Sequence, residues 1–368
     1  MKKLLIAIDS LGGGGAEKVL INLLNHLNKD KYQITLLLIF NEGVHLNSVP
    51  KHVEIKYLFN SKSSLLRRLF YKFIKYSSAE RLYKRFIKDR YDIEIAFLEG
   101  STTKLISGST NEKSKKIAWV HTDFSNHHWT VHYYRGDQEE QQQYKKFNKI
   151  VFVSNDSRKG FENTLHLHDR LQVIYNPIDA QEVLAKAQQE PVTFDKLTII
   201  SVGRLIKAKG YDRLIKVHSK LIKEGIDHNL VLIGEGEEGE TLAQLCRNLD
   251  LTNSVQFLGF QTNPYKFVNA ADLYVSSSRA EGLPLVVAEA LILGKPVLST
   301  RCSGPVEMLE DGKYGRIVEN SEEGLYEGLK QLLISKEDRI NYGRLALQRR
   351  SFFNIDHIIS EIEDLFDE

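Results

Sequence analysis

The sequence predicts an α/β protein of two doubly wound, Rossmann-like domains facing a central cleft. Three observations predict it. Short, continuous apolar runs alternate with helical patterns along the chain, as parallel strands covered on both faces require. The alternation runs through twice, and a polar segment between Pro177 and Pro191 separates the two passes. At 368 residues there is length for about two domains.

Strands are expected in the first half at residues 4–8, 33–39, 93–97, 117–120, 150–154 and 172–175. Each is an apolar run of strand length bounded by polar or turn residues. Helical spacing fills several gaps, as at 17–27 and 156–165. The second half repeats the scheme, with strands at 197–202, 230–233, 255–258, 273–276 and 297–299. The domains are read as 1–178 and 190–350, joined by a polar helical stretch over 179–190. Residues 352–368 form an amphipathic terminal segment. Doubly wound sheets bind ligands beside the carboxyl ends of their strands.

Composition narrows the class. A hydrophobic share of 42% and a charged share of 27% describe an ordinary soluble globular chain. Cys246 and Cys302 have no paired spacing. That argues against a disulfide framework or a thiolate zinc site and fits a reducing compartment. The apolar run at 4–8 is too short for a signal peptide or a membrane span and reads as a first buried strand. A net charge of +2 gives no general affinity for nucleic acid. The charge is uneven, however: residues 62–90 hold ten basic and two acidic side chains, which leaves the remainder net acidic.

Within that segment Leu65, Leu66, Leu69, Phe70, Phe73 and Ile74 follow helical spacing. Leu82, Tyr83, Phe86 and Ile87 do so after Ser77-Ser78. Such an apolar face with Arg67, Arg68, Lys72 and Lys75 suits a helix resting on an anionic membrane. It equally suits a packed helix with a solvated basic face.

Several motifs carry chemistry. Glu281 and Glu289 are eight positions apart in Glu281-Gly282-Leu283-Pro284-Leu285-Val286-Val287-Ala288-Glu289. Pro284 suits a first helical position, and Gly294 suits the stop. Free N–H groups at the helix start would hold a phosphate, with a hydroxyl acceptor on either side. A sugar nucleotide has that layout. Gly12 to Gly15 lie between the first strand and a helix, where glycine lets backbone approach a phosphate. No Gly-Lys-Ser/Thr follows, so this is not a nucleoside-triphosphate loop.

Arg204 and Lys209 are cations placed to stabilise a leaving diphosphate in the absence of a metal. Gly234 to Gly239 match G-x-G-x-x-G, but four acids crowd the loop and no acid follows for a ribose. His121, His127, His128 and His132 lack the helical pairing with a glutamate that marks a zinc site, so no metal is expected.

Taken together, Gly12-Gly13-Gly14-Gly15-Ala16-Glu17, Val120-His121-Thr122-Asp123, Val202-Gly203-Arg204-Leu205 with Lys209-Gly210, Gly234-Glu235-Gly236 and the Glu-x7-Glu element resemble, in their order, the retaining glycosyltransferases of family 4. The resemblance implies the GT-B architecture, with the last helix crossing back onto the first domain. It implies that Gly14 and Gly15 line the donor diphosphate, with Glu17 opening the helix behind them. Gly234 and Gly236 would border the nucleotide base, and Gly203 sits in the Gly-Arg-Leu motif. His121 would hydrogen-bond a hydroxyl of the transferred sugar, while Asp123 and His127 face the acceptor. Glu281 would contact sugar hydroxyls and Glu289 the ribose. Amides around Gly282, Leu283, Leu285 and Val286, next to Pro284, would complete the phosphate site.

The activity so implied is retaining transfer of a hexose or N-acetylhexosamine from a nucleotide diphosphate sugar, of the uridine type by family frequency. The acceptor implied is a hydroxyl of a polyprenyl-diphosphate-linked saccharide in surface polysaccharide biosynthesis. No metal or cofactor is expected. The chain is expected in the cytoplasm, on the inner face of the membrane. A non-catalytic GT-B subunit that binds a sugar nucleotide is the alternative. A phosphorylase would need a cofactor lysine and a much longer chain, and an epimerase would act with no acceptor.

Overall fold

The computed structural model describes residues 1–60, 63–125 and 128–368. The chain divides into two compact units, Met1–Pro177 with Asp356–Glu368, and Ile178–Ile355.

In the first unit the chain runs β1 (Lys2–Ile8), α1 (Gly15–His26), β2 (Tyr32–Phe40) and β3 (Glu54–Phe59). Then follow α2 (Ser64–Tyr76), α3 (Ala79–Phe86), β4 (Ile93–Ala96), α4 (Ser101–Ile106) and β5 (Lys115–Val120). It closes with α5 (Asp137–Tyr144), β6 (Lys149–Phe152), α6 (Asn155–Leu165) and β7 (Leu171–Val173). The seven strands pair in parallel in the order β3-β2-β1-β4-β5-β6-β7. The order reverses between β1 and β4, and that is where a doubly wound sheet opens a ligand crevice.

In the second unit α7 (Ala180–Ala187) precedes β8 (Thr198–Val202), α8 (Tyr211–Lys223), β9 (Asn229–Ile233) and α9 (Gly239–Asn248). Next come β10 (Val255–Phe257), α10 (Tyr265–Ala270), β11 (Leu273–Ser276), α11 (Leu285–Ile292) and β12 (Val297–Thr300). Then follow α12 (Ser303–Met308), β13 (Arg316–Val318), α13 (Glu322–Ile334) and α14 (Lys336–Arg349), before α15 (Ile355–Asp367). The six strands are ordered β10-β9-β8-β11-β12-β13, with the reversal between β8 and β11.

Two strands, β3 and β13, lie outside the apolar runs expected from sequence. Both are sheet edges. None of the β3 side chains is fully buried, and β13 has three residues. Edge strands do not need the continuous apolar run that a doubly covered strand does.

From Asp356 onward α15 belongs to the first unit. Its Ile358, Ile359, Ile362, Leu365 and Phe366 are buried, and Phe366 meets Tyr32 edge to face at 5.6 Å. Lysines at strand starts gather at its carboxyl end, where the helix dipole favours cations. Lys2 donates to the Phe366 carbonyl at 3.1 Å, Lys115 donates to the Leu365 carbonyl, and Lys149 pairs with Glu368 at 2.8 Å.

The second core contains two fully buried histidines in a polar chain. His228 Nδ1–H donates to the Ile226 carbonyl at 2.7 Å, so its Nε2 accepts from His218 Nδ1–H at 2.9 Å. His218 Nε2 then accepts from the Ser254 hydroxyl at 2.9 Å. With both rings neutral every ring nitrogen has a partner. Burial, with the neighbouring His228, pushes His218 down to about 3. The unfolded chain therefore binds more protons below the ordinary histidine pKa, and stability falls as pH drops. Between pH 6.5 and 5 His218 is expected to cost roughly 2 kcal/mol of unfolding free energy. Urea unfolding at the two pH values tests this. A His218→Asn chain with the same pH slope as wild type would contradict it.

Candidate functional site

In the second unit the site residues gather at the reversal between β8 and β11. Lys209, beside the start of α8, forms an ion pair with Glu281 Oε1, and the Ser278 hydroxyl donates to the same oxygen at 2.5 Å. Ser277 Oγ donates to the Lys209 carbonyl at 2.8 Å. Gly210 has φ +66 and lies against the Ser277 carbonyl, where a side chain would collide. The loop carrying Glu281 can therefore lie flat on the loop carrying Lys209. Arg204, just past β8, is exposed and makes no ion pair among the described residues.

Arg213 fixes this loop. It is 6% exposed and donates to the Ser277 carbonyl at 2.6 and 2.9 Å, the Ser278 carbonyl at 2.7 Å and Asn320 Oδ1 at 2.7 Å. Asn320 in turn donates to the Arg279 carbonyl at 2.9 Å. Arg279 forks onto Asp212 with two bonds of 2.8 Å, which raises the pKa of the guanidinium.

Pro284 is the N-cap of α11 rather than its first helical residue; its backbone is still extended, and Leu285 is the first to turn. No side chain caps this helix, so the amides of Leu285 and Val286 are available to an anion. Gly282 and Leu283 rest on Gly304, where any side chain would strike the Gly282 carbonyl. Glu289 lies one turn into α11, and Tyr265 OH donates to its Oε1 at 2.9 Å.

Gly234 and Gly236 are pressed on the neighbouring loop. Side chains there would collide with the carbonyls of Gly203 and Leu205. Leu205 N donates to the Glu235 carbonyl and Glu238 N to the Leu205 carbonyl, both at 2.9 Å. These glycines let two strand-end loops lie together, and this contact accounts for the G-x-G spacing without a dinucleotide.

In the first unit Gly14 is the N-cap of α1 and Gly15 its first residue, with no side-chain cap hydrogen bond. The Glu17 carboxylate folds back over Gly14, where a side chain would collide with it. His121 follows β5. Its N–H donates to Glu99 Oε2 at 3.1 Å, and its ring lies 5.1 Å from that of Phe97. Burial lowers the His121 pKa, opposed by the Glu99 charge and the Phe97 carbonyl.

Asp123 is buried, and its Oδ1 accepts from Ser125 N at 3.0 Å against Gly160. That hydrogen bond shapes a local turn. His127, and Lys62 at the head of the basic segment, lie outside the described residues. His128 donates to Glu140 at 2.9 Å, which raises the histidine pKa, and Thr130 donates to the same carboxylate at 2.7 Å. His128, Asp137 and Glu140 form the one metal-capable group among the described residues.

The apolar residues of α2 divide between two faces. Phe70 and Ile74 enter the core, whereas Leu65, Leu69, Phe73 and Tyr76 are exposed by 65, 56, 41 and 65%. Arg68 and Lys72 are exposed among them. Arg67 turns inward to pair with Glu42 and lies 4.5 Å over the Phe40 ring. The Lys75 carbonyl accepts from the buried Lys104 at 2.9 Å.

Residues 13–182 match the model of Glycosyltransferase Family 4, and residues 185–349 match that of Glycosyl transferases group 1. This chain belongs to glycosyltransferase family 4. It is 28% identical, over 96% of both chains, to the N-acetylgalactosamine-N,N'-diacetylbacillosaminyl-diphospho-undecaprenol 4-alpha-N-acetylgalactosaminyltransferase of Campylobacter jejuni. It is 24% identical, over 99% of both, to the amylovoran biosynthesis glycosyltransferase AmsD of Erwinia amylovora. Among solved structures it is similar to Anabaena HepE in complex with UDP-glucose, with TM-score 0.79 and 20% identity over all of both chains. It is also similar to WaaG, a glycosyltransferase involved in lipopolysaccharide biosynthesis, with TM-score 0.72 and 15% identity over 99% of both. These structures share the GT-B fold with this chain.

For this glycosyltransferase, sequence reading missed Arg213, Asn320, Tyr265 and Glu99. A charged residue in a helical pattern looks solvated until tertiary packing buries it. Replacing Arg213 with Met should leave the Ser277 and Ser278 carbonyls without their donor and cost about 3 kcal/mol. Urea unfolding would measure it, and a change under about 1 kcal/mol would mean the loop holds without the clamp.

Proposed function

We propose that this chain is a retaining glycosyltransferase that moves a hexose or N-acetylhexosamine from a uridine diphosphate sugar to a hydroxyl of a lipid-linked saccharide in surface polysaccharide biosynthesis. The observation that carries the reading is the Lys209–Glu281 pair at the β8/β11 reversal, beside exposed Arg204 and the uncapped start of α11. A diphosphate needs cations and N–H donors, and a sugar needs a carboxylate for its hydroxyls. Both kinds of group stand there. The names of the Campylobacter jejuni and Erwinia amylovora relatives support the setting, and the UDP-glucose complex of HepE supports the donor.

In the reaction proposed, the bond from the sugar's anomeric carbon to the diphosphate breaks, and the acceptor oxygen bonds that carbon on the same face. The acceptor's hydroxyl proton passes to the departing phosphate oxygen. Arg204, Lys209 and the α11 amides take up the charge that develops on the diphosphate, so the reading needs neither metal nor resident cofactor. Glu281 and Glu289 orient the sugar and ribose, and Gly14 and Gly15 at the start of α1 offer a second set of amides to phosphate.

Single substitutions Glu281→Ala, Lys209→Ala and Arg204→Ala should each lower UDP release from UDP-sugars at least a hundredfold, about 2.7 kcal/mol, with little change in melting temperature. Full activity in all three would overturn the assignment. The anomeric configuration of the product, read by NMR, tests retention.

Among the described residues no helix is long and apolar enough to cross a membrane. The proposed contact is the outward stripe of α2, in which Leu65, Leu69, Phe73 and Tyr76 supply apolar area while Arg68 and Lys72 face anionic headgroups. Binding to anionic vesicles should fall with added salt and with Arg68→Glu plus Lys72→Glu. Vesicle binding indifferent to both would remove this part of the reading.

A further inference from the structure

At the carboxyl ends of β4 and β5 two acceptor atoms are left without donors. Glu99 is 1% exposed. One oxygen, Oε2, accepts from His121 N at 3.1 Å. The other, Oε1, is buried and makes no hydrogen bond. His121 Nε2 is in the same condition, on a residue that is itself only partly buried. Since the Phe97 carbonyl sits by the ring as an acceptor, the ring proton belongs on Nδ1. Nε2 then presents a lone pair.

A buried carboxylate oxygen without a donor is costly, and two neighbouring orphans in one native site call for an explanation. Nearby Asp9 shows the contrast. It ends β1 across the reversal, and it receives hydrogen bonds from Ser101 Oγ and from Tyr71 OH at 3.1 Å. The fold supplies donors to Asp9 and withholds one from Glu99 Oε1.

The missing partner must bring at least two donors. Phosphate has none to spare and would be repelled by Glu99. A metal ion would need a third ligand, and among the described residues no third His, Cys, Asp or Glu atom joins this pair. Neighbouring hydroxyls on a pyranose ring would bring one donor to each atom. We propose that Glu99 Oε1 and His121 Nε2 together bind two adjacent hydroxyls of a sugar ring, with Glu99 reading which hydroxyls are present. This rests on the glycosyltransferase reading and adds Glu99 to it as a substrate-binding residue. The ring is that of the donor or that of the acceptor saccharide, and the titration below separates the two.

The test is calorimetric titration of full-length wild type and Glu99→Gln with UDP, UDP-glucose, UDP-N-acetylglucosamine, and methyl α-glucoside with its monodeoxy analogues. Glutamine keeps an oxygen for His121 N and removes the charged acceptor. UDP should bind both proteins equally. A sugar source on the donor shows as about tenfold weaker UDP-sugar binding in the variant. A source on the acceptor shows as the same loss with the methyl glycoside. One deoxy position should weaken wild type about tenfold and leave Glu99→Gln unaffected, because the lost hydroxyl has no partner there. A purely structural Glu99 would not move that coupling. Unchanged sugar affinity, or identical deoxy penalties in both proteins, would overturn the inference. Failure of every UDP ligand to bind wild type would instead overturn the donor reading. If Glu99→Gln melts well below wild type, the same deoxy series on His121→Asn decides, with identical penalties again overturning the pair.

Discussion

The site of the second unit depends on one buried guanidinium. Arg213 is 6% exposed, and a charge so placed must be answered by acceptors in good geometry. The acceptors it finds are Ser277 O, Ser278 O and Asn320 Oδ1. The first two belong to the loop that leads directly to Glu281. The Ser278 hydroxyl then donates to Glu281, so the carboxylate's place is set by a residue it never touches. The same helix begins beside Lys209 and Gly210. The absent side chain of Gly210 admits the Ser277 carbonyl, and Ser277 Oγ returns a bond to Lys209 O. The cation and the carboxylate are held by opposite ends of one short network. Such a network is rigid when every member is satisfied.

Legibility followed burial on both faces. Strands such as β1, β9 and β11 each hold a continuous buried apolar run, residues 4–8, 230–233 and 273–275, because both faces are covered, and such a run is visible in the sequence. Edge strand β3, Glu-Ile-Lys-Tyr-Leu-Phe, carries no such run because one side of its pairing is free. Helix α2 shows a subtler limit. Its apolar residues cover more than one face, and spacing alone does not say which stripe packs. Phe70 and Ile74 go in while Leu65, Leu69 and Phe73 stay out, because Phe70 packs on Phe40 and Phe59 of strands β2 and β3, a tertiary contact that spacing does not show. At the site, Glu281 and Lys209 were legible as parts of motifs. Arg213 was not, since Asp212-Arg213-Leu214-Ile215 has the pattern of any solvated helix. Glu99 has no periodic neighbours at all and gains meaning only from where β4 ends.

The two units differ in what their strand ends lack. In the second unit donors stand without acceptors: Arg204 is exposed with no ion pair among the described residues, and no side chain caps α11. In the first unit beyond β4 and β5 acceptors are in surplus, since neither Glu99 Oε1 nor His121 Nε2 has a donor. An anionic phosphate satisfies a surplus of donors, and a hydroxylated ring satisfies a surplus of acceptors. A protein that bound only phosphates would gain by pairing Glu99 with a cation, as it pairs Glu42 with Arg67. One that bound only neutral sugars would have no reason to leave Arg204 exposed and without an ion pair among the described residues. Each shortage is answered by its own kind of group, charge in the second unit and hydroxyls in the first.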